Sequence, residues 1–294
     1  MLPYEDVVVC ETIGVQMKSL LTKSDSSAAL LALSTTTALL ALFPYPCAGQ
    51  ETPPVVAHEA EPLVTDRPDF TESARLIPVR RSQIEAGYTS GRDGNQRSQA
   101  LGEFLLRVGM ARSTEFRLGL SSWTRAHSPE GTTNGWEGAS LGVKLRLADG
   151  AETAGQMARP AMALIVSAIV PSGSPVYREN RLQPEAKLCF AWDLSERLQM
   201  SSNLNYGRPV ESGVQFGQVG GTLSFGYALT KRVAAYTEYF GFFPEAKGSG
   251  NAHFLNGGFT YLVTADYQLD IRAGAGLNHN KPASFFGFGF ARRF

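Results

Sequence analysis

The chain has 294 residues, of which 43% are hydrophobic and 18% are charged, and its 27 basic residues balance its 27 acidic ones. Net neutrality gives no global positive field, so the composition does not point to nucleic acid as a partner. No uninterrupted apolar run of about eighteen residues occurs, so a helical membrane span is not expected. A β-barrel can cross a membrane with this composition, because only every second strand residue meets lipid.

A secretory signal is expected within residues 1–48, which we assign to an N-terminal extension and signal peptide. Two lysines supply a basic start, residues 28–43 an apolar centre, and small residues a cleavage site after Ala48. The residues before Met17 are partly acidic, which is atypical of the front of a signal, so translation from Met17 is the expectation. Export through the periplasm follows from this signal.

Residues 49–77 are expected to form a periplasmic spacer that ends in a dense polar motif. The first part is rich in proline and acidic residues, which is typical of a flexible linker. In the motif LVTDRPDFTES, residues 63–73, the proline fixes its own φ and keeps the preceding residue extended. The side chains of Asp66, Arg67 and Asp69 would then project from a stiff, non-helical segment. Either a solvated linker or a segment in the mouth of a barrel fits this pattern.

From residue 78 to residue 294 the chain alternates apolar and polar residues in segments that are separated by turn residues. The predicted strands cover residues 83–89, 100–110, 115–123, 138–147, 160–170, 185–193, 197–206, 217–227, 233–243, 254–263, 268–278 and 285–294. Longer outer loops are predicted near residues 124–135, 171–181, 207–214, 244–253 and 279–284. Short links that alternate with longer loops predict an all-β fold, an antiparallel up-and-down transmembrane barrel of about 12 strands.

The last strand, FFGFGFARRF, places its aromatic residues on one face and ends on that face. An exposed edge of this kind invites aggregation unless it is paired, and closing a barrel pairs it. Phe290 and Phe294 resemble the C-terminal signal by which outer-membrane barrels are recognised for insertion. The expected partners are therefore outer-membrane lipids and the barrel-assembly machinery. A soluble β-sandwich would also alternate, but the secretory signal and the aromatic residues near strand ends favour the membrane barrel.

Charged residues on the polar faces are the candidate lining of the lumen. Acids and bases are mixed, so ion pairs are expected to fill much of the interior and to leave a narrow path for a small-molecule permeant. Asp66 and Arg67 are expected to pair with groups such as Glu238 and Arg272. The full set of candidates is Asp66, Arg67, Asp69, Glu85, Glu103, Arg107, Arg117, Lys144, Arg146, Glu185, Lys187, Glu238, Asp270 and Arg272.

The motif TDRPDFTES, followed by IPVRRSQIEAGYT at residues 77–89, resembles the opening of the outer-membrane family named for the meta-cleavage pathway of phenol degradation. Similar phrases are VPSG at residues 170–173, YTEYFG at residues 236–241 and LDIRAGAGLN at residues 269–278. The resemblance covers residues 63–294. It implies a barrel of the bacterial outer membrane and a role in passive uptake of small, often aromatic, compounds, with no catalytic residues carried by a motif.

Two other functions stay open at this point. A structural barrel without transport is one, although the predicted outer loops, which are longer than the inner links, are still too short for a large adhesive surface. An outer-membrane hydrolase is the other, and it would need serine and histidine within hydrogen-bond reach. The candidate histidines, His127, His253 and His279, all fall in predicted loops. We predict no enzyme activity, no cofactor and no metal site, because no metal-ligand spacing or nucleotide loop occurs.

Overall fold

The computed structural model describes residues 63–150, 159–278 and 283–294. The expected signal peptide and most of the expected spacer lie outside these residues. No helix in the described ranges has the length and hydropathy that a membrane crossing needs. The strands are β1 (Ser82–Asp93), β2 (Gln96–Ala111), β3 (Thr114–Leu120), β4 (Trp123–Ser128), β5 (Gly131–Trp136), β6 (Ser140–Ala148), β7 (Ala161–Ile169), β8 (Gln183–Asp193), β9 (Leu198–Gly207), β10 (Val210–Glu211), β11 (Val214–Gln215), β12 (Gln218–Ala228), β13 (Val233–Phe243), β14 (Ala252–Thr264), β15 (Tyr267–Gly276) and β16 (Ser284–Arg293).

The strands form one closed antiparallel barrel. Each strand of the ring pairs with its neighbours along the chain, and β1 closes the ring by pairing with both β2 and β16. β3 and β4 both pair with β2, so they are two pieces of a single barrel strand, and β5 and β6 continue each other in the same way. β10 and β11 form a small hairpin between β9 and β12. The ring therefore has the twelve strands that the alternation predicts.

The prediction of a loop at residues 124–135 is wrong, because this region forms the hairpin of β4 and β5. The sequence GTTNGW in β5 carries few apolar side chains, although Thr124 and Ala126 in β4 are buried. A strand that extends beyond the membrane meets water on its outer face. It therefore lacks the apolar alternation on which the prediction depended.

The two ends of the barrel differ in the length of their connections. At one end, two residues join β2 to β3 and β14 to β15, and four join β8 to β9 and β12 to β13, although 12 residues separate β6 from β7. At the other end, two residues join β1 to β2, but 13, 10 and 8 residues separate β7 from β8, β9 from β12 and β13 from β14. Outer-membrane barrels have short periplasmic turns and longer extracellular loops. We therefore assign the end that has most of the short turns, and that carries both termini of the barrel, to the periplasm.

The outer face of the barrel is apolar, as a lipid-facing surface must be. Phe286 and Phe288 on β16, and Phe294 directly after it, are each 50% exposed, whereas Phe285 and Arg293 on the opposite face are buried. Large exposed apolar residues occur on the other strands of the ring as well, among them Leu141, Leu204, Leu223, Leu255, Phe259 and Ile271. Lipid contact accounts for these side chains, which water would disfavour.

Replacing Phe288 by Arg should lower the free energy of unfolding by about 2–4 kcal/mol. An arginine side chain that faces lipid near the bilayer midplane must either extend to the membrane interface or bring water into the hydrocarbon. Phe288 lies in the middle of β16 and contacts Tyr88, with 5.4 Å between ring centroids. Denaturant unfolding in lipid vesicles measures the change. Leu147→Arg, at the periplasmic end of β6, is the control and should cost about 0–1 kcal/mol. Equal losses in the two variants would contradict the assigned lipid face.

Candidate functional site

The segment of residues 63–78, which we call the lumenal segment, lies inside the barrel. Near its start, the amide of Asp66 donates to Glu85 of β1, with N to Oε2 at 3.0 Å. In its middle, the hydroxyls of Thr71 and Thr222 of β12 are 2.8 Å apart. Near its end, the amide of Ile77 donates to Glu115 of β3 at 2.9 Å. Because β1 and β3 are far around the ring from β12, the segment crosses the lumen and returns.

Asp66 is surrounded by cations of the barrel wall. Its Oδ2 lies 2.6 Å from Arg117 Nη1, 3.3 Å from Lys144 Nζ and 3.4 Å from Arg107 Nη1. All four side chains are buried. A buried charge is tolerated only where it is paired and hydrogen-bonded, so these cations and this carboxylate depend on one another.

The same cations continue into a wider network. Arg107 donates through Nη1 to Glu85 at 3.0 Å and through Nε to Glu115 at 2.8 Å. Arg117 donates to Glu72 of the lumenal segment at 2.7 Å, and Lys187 of β8 donates to the other oxygen of Glu72 at 2.7 Å. Carboxylates of the segment and of the wall therefore alternate with cations of the wall.

Arg67 occupies a second ionic cluster on the opposite side of the segment. Its guanidinium pairs with Glu103 of β2 and with Asp270 of β15, the latter at 3.3 Å. Arg272 also reaches Glu103, at 3.2 Å, and donates to the carbonyl of Pro68 at 3.1 Å. Glu103 has a φ of 41° and lies within an irregularity in the pairing of β2 with β1, where β2 has one extra residue. Bulges of this kind re-aim a side chain.

Two glycines make room for Arg67. Gly87 of β1 and Gly289 of β16 are direct neighbours across the sheet. A Cβ built on Gly87 would lie 2.4 Å from Nη2 of Arg67, and one built on Gly289 would lie 2.5 Å from its Nε. Any larger residue at either position would collide with the guanidinium, so the lumenal segment packs directly on bare backbone.

Phe70 forms the tip of the lumenal segment and packs on an aromatic cluster of the wall. Its ring stacks on Phe240, with 4.9 Å between centroids, and meets Phe242 edge to face at 5.4 Å. Its amide donates to Glu238 at 2.8 Å, and the amide of Thr71 donates to the other oxygen of Glu238 at 2.6 Å. Charge therefore fixes the backbone of the tip while aromatic contacts fix its side chain.

The structure brings most of the candidate lumen residues together around the lumenal segment, but with partners that differ from the expected ones. Asp66 pairs with Arg107, Arg117 and Lys144 rather than with Arg272, and Arg67 pairs with Glu103 and Asp270 rather than with Glu238. Wall candidates bonded to the segment are Glu85, Glu103, Arg107, Arg117, Lys144, Lys187, Glu238, Asp270 and Arg272. Asp69 belongs to the segment and lies beside Ser224 and Glu238.

Two candidates lie at the ends of strands. Arg146 is exposed near the periplasmic end of β6 and pairs with Asp149 at 2.7 Å, away from the lumenal segment. Glu185 lies in the outer half of the barrel, 3.4 Å from Lys187. Sequence reasoning missed Glu72 and Glu115, which hold central positions. Glu115 shares a strand face with Arg117, so the alternation of β3 carried the signal that would have found it.

The outer half of the lumen, above the lumenal segment, contains a cavity of about 540 Å³. We call it the vestibule. Phe70, Glu72, Arg117 and Lys187 line it where it meets the lumenal segment. Its other lining residues include the aromatic residues Phe104, Tyr177 and Phe242, the carboxylates Glu137, Glu179 and Glu245, and the exposed cation Arg208.

The histidines considered for hydrolysis have other hydroxyl partners. His127 Nδ1 lies 2.9 Å from Thr132 Oγ1, within the hairpin of β4 and β5. His253 Nδ1 lies 2.6 Å from the hydroxyl of Tyr239. His279 lies outside the described residues. These two described histidines thus contact threonine and tyrosine, where a hydrolase of the serine type needs a serine nucleophile.

Replacing Asp66 by Ala should lower the free energy of unfolding by about 3–5 kcal/mol, because it leaves buried cations without their shared carboxylate. Asp193→Ala is the matched control. Its carboxylate pairs with Arg75, but the two side chains are 36% and 44% exposed, so its loss should cost less than about 1 kcal/mol. Denaturant unfolding of the purified barrel compares the two variants. Similar losses would show that the lumenal network contributes no more than a surface ion pair.

Comparisons with known proteins agree with this architecture. The family model "Putative MetA-pathway of phenol degradation" matches residues 65–294. An outer membrane channel from Pseudomonas putida F1 is similar at 14% identity and a TM-score of 0.56, covering 75% of this chain and 98% of that one. The NanC porin is similar at 9% identity and a TM-score of 0.49, covering 71% and 98%. A search of curated protein sequences found no match. The chain belongs to the family of the MetA-pathway of phenol degradation, and it is a β-barrel of the bacterial outer membrane.

Proposed function

We propose that the barrel is a passive channel for small, hydrophobic or aromatic compounds, and that the vestibule is the outer part of its path. The vestibule carries this proposal. Its volume of about 540 Å³ lies within the usual range for small-molecule sites, about 300–1,000 Å³. It combines aromatic side chains with a few polar ones, which is the usual lining of such sites. The solved relative from Pseudomonas putida F1 is named as a channel, which supports the same function.

The lumenal segment sets the width of the proposed path. It occupies the lumen between β1, β3, β12 and β13, and its tip, Phe70, lines the vestibule. A permeant must therefore pass beside this segment, or the segment must first move aside. We expect small conductance from the intact barrel and selection by size at the tip.

A structural barrel without transport is the alternative, and it predicts no passage of solute at all. We propose no enzyme activity, since the contacts of His127 and His253 do not favour hydrolysis.

We also propose that the barrel-assembly machinery recognises Phe290 and Phe294, which lie on the outer face of the terminal strand. We propose that the wall residues bonded to the lumenal segment hold it in place.

Deleting residues 51–73 should increase single-channel conductance several-fold, because the deletion removes Asp66, Arg67 and Phe70 from the lumen. Planar-bilayer recordings of the purified protein measure the change. Deleting only residues 51–62 is the matched control, since it shortens the chain but keeps the lumenal segment. The control should conduct like the intact protein.

Unchanged conductance in the longer deletion would contradict the role of the segment in narrowing the path. Whether anything passes is tested separately in cells, by uptake of a radiolabelled aromatic compound into a strain that lacks the gene and into the complemented strain. Greater uptake on complementation supports the channel. Equal uptake in both strains, together with no swelling of liposomes that contain the purified barrel, would support the structural alternative.

A further inference from the structure

Glu245 is a buried carboxylate at the vestibule, and within the described part of the chain no cation pairs with it. The residue is only 6% exposed and lies in the loop between β13 and β14. Among the described residues, its Oε1 has no hydrogen-bond partner. Buried polar groups are nearly always hydrogen-bonded, so a buried carboxylate that lines a cavity and has an unpartnered oxygen indicates a position for a ligand.

The loop that carries Glu245 is held by its own hydrogen bonds, so the position of the carboxylate is built into the fold. The amide of Glu245 donates to the carbonyl of Gly250 at 2.9 Å. The side-chain amide of Gln218 donates to the carbonyls of Pro244 and Glu245 at 3.0 and 2.8 Å. The hydroxyl of Ser249 accepts from the amide of Ala246 at 2.7 Å. The backbone groups of Glu245 therefore have hydrogen-bond partners, whereas its Oε1 has none among the described residues.

The charges around the vestibule favour a cation, because carboxylates outnumber cations in its lining. The carboxylates are Glu72, Glu103, Glu137, Glu179, Glu185 and Glu245, and the cations are Arg117, Lys187 and Arg208. Glu137, which also lines it, accepts a hydrogen bond from the hydroxyl of Thr124 at 2.8 Å. Two of these cations, Arg117 and Lys187, are bonded to Glu72. Burial and the nearby charge of Asp93 raise the pKa of Glu245 to about 7. Both effects disfavour its charged form, and a cation bound beside it would offset them.

The apolar part of the lining restricts the class of cation that the vestibule can bind. Phe242 is buried and lines the cavity together with Phe104 and Tyr177, which itself is 5% exposed. Aromatic rings pack on apolar bodies and also attract cations through their faces. A bare metal ion would gain nothing from these rings and would need several oxygen ligands. A neutral aromatic compound would leave the carboxylate unpaired, and an anion would be repelled by it.

We infer that the vestibule binds organic cations in which an amine is joined to an aromatic body, with the ammonium group against Glu245. This assignment deepens the proposed channel function by naming a class of permeant. Binding itself does not require that the barrel conducts. A test of binding therefore fails or succeeds independently of a test of transport.

Isothermal titration of the full-length protein in detergent at pH 8 tests the site with three probes of nearly equal shape. These are 2-phenylethylamine, which is a cation at this pH, the neutral 2-phenylethanol and the anion phenylacetate. The amine should bind at least about tenfold more tightly than the alcohol, which corresponds to one charge-assisted hydrogen bond. Phenylacetate should bind more weakly than either.

Glu245→Gln should weaken binding of the amine about tenfold or more and leave binding of the alcohol nearly unchanged. Glu130→Gln is the matched control, because Glu130 is exposed in the turn between β4 and β5 on the same side of the membrane and does not line the vestibule. It should bind all three probes as the unmodified protein does. Circular dichroism establishes that each variant retains its β-structure.

Equal affinity of the unmodified protein for the amine and the alcohol would overturn the inference without any variant, as would tighter binding of phenylacetate. Full amine affinity in a folded Glu245→Gln variant would overturn it as well. Selective amine binding by a barrel that neither conducts nor takes up solute would support the site and contradict the channel function.

Discussion

The constraint that shapes this protein is that its ionic groups must face a closed interior and find partners there. Hydrocarbon covers the outside of the ring, so charge on that face is costly, and the alternating strands direct it inward. Inside, Arg107, Lys144 and Glu115 are buried with almost no access to water. Burying such groups costs more than their attraction returns unless each is fully bonded. The lumenal segment supplies the missing bonds.

Wall and segment are therefore matched to each other. The wall presents cations where the segment presents Asp66 and Glu72, and carboxylates where it presents Arg67. The bare backbone of Gly87 completes the fit by admitting the guanidinium. This matching divides the lumen into an inner half filled by the segment and an outer half that remains open as the vestibule.

Sequence alone predicted the number of strands because lipid requires one face of each strand to be apolar. The resulting alternation is visible in the sequence without knowledge of the fold. It missed the hairpin of β4 and β5, where the outer face meets water. Alternation reports the face of a residue but not its depth along the barrel, so it did not distinguish Arg146, which is exposed near the end of β6, from the buried Lys144. The partners of Asp66 and Arg67 depend on how the ring closes and on the path of an irregular segment, and no local pattern encodes either.

The most direct test of this account is whether the lumenal segment contacts the wall in intact outer membranes. Cysteines introduced by Thr71→Cys and Thr222→Cys, in a chain whose native cysteines are replaced by alanine, would stand where hydroxyls lie 2.8 Å apart. That proximity suits a disulfide. Mild oxidation followed by mass spectrometry should find the peptides that contain residues 71 and 222 linked. Free alkylation of both thiols after oxidation would show that the segment lies elsewhere and would contradict the account.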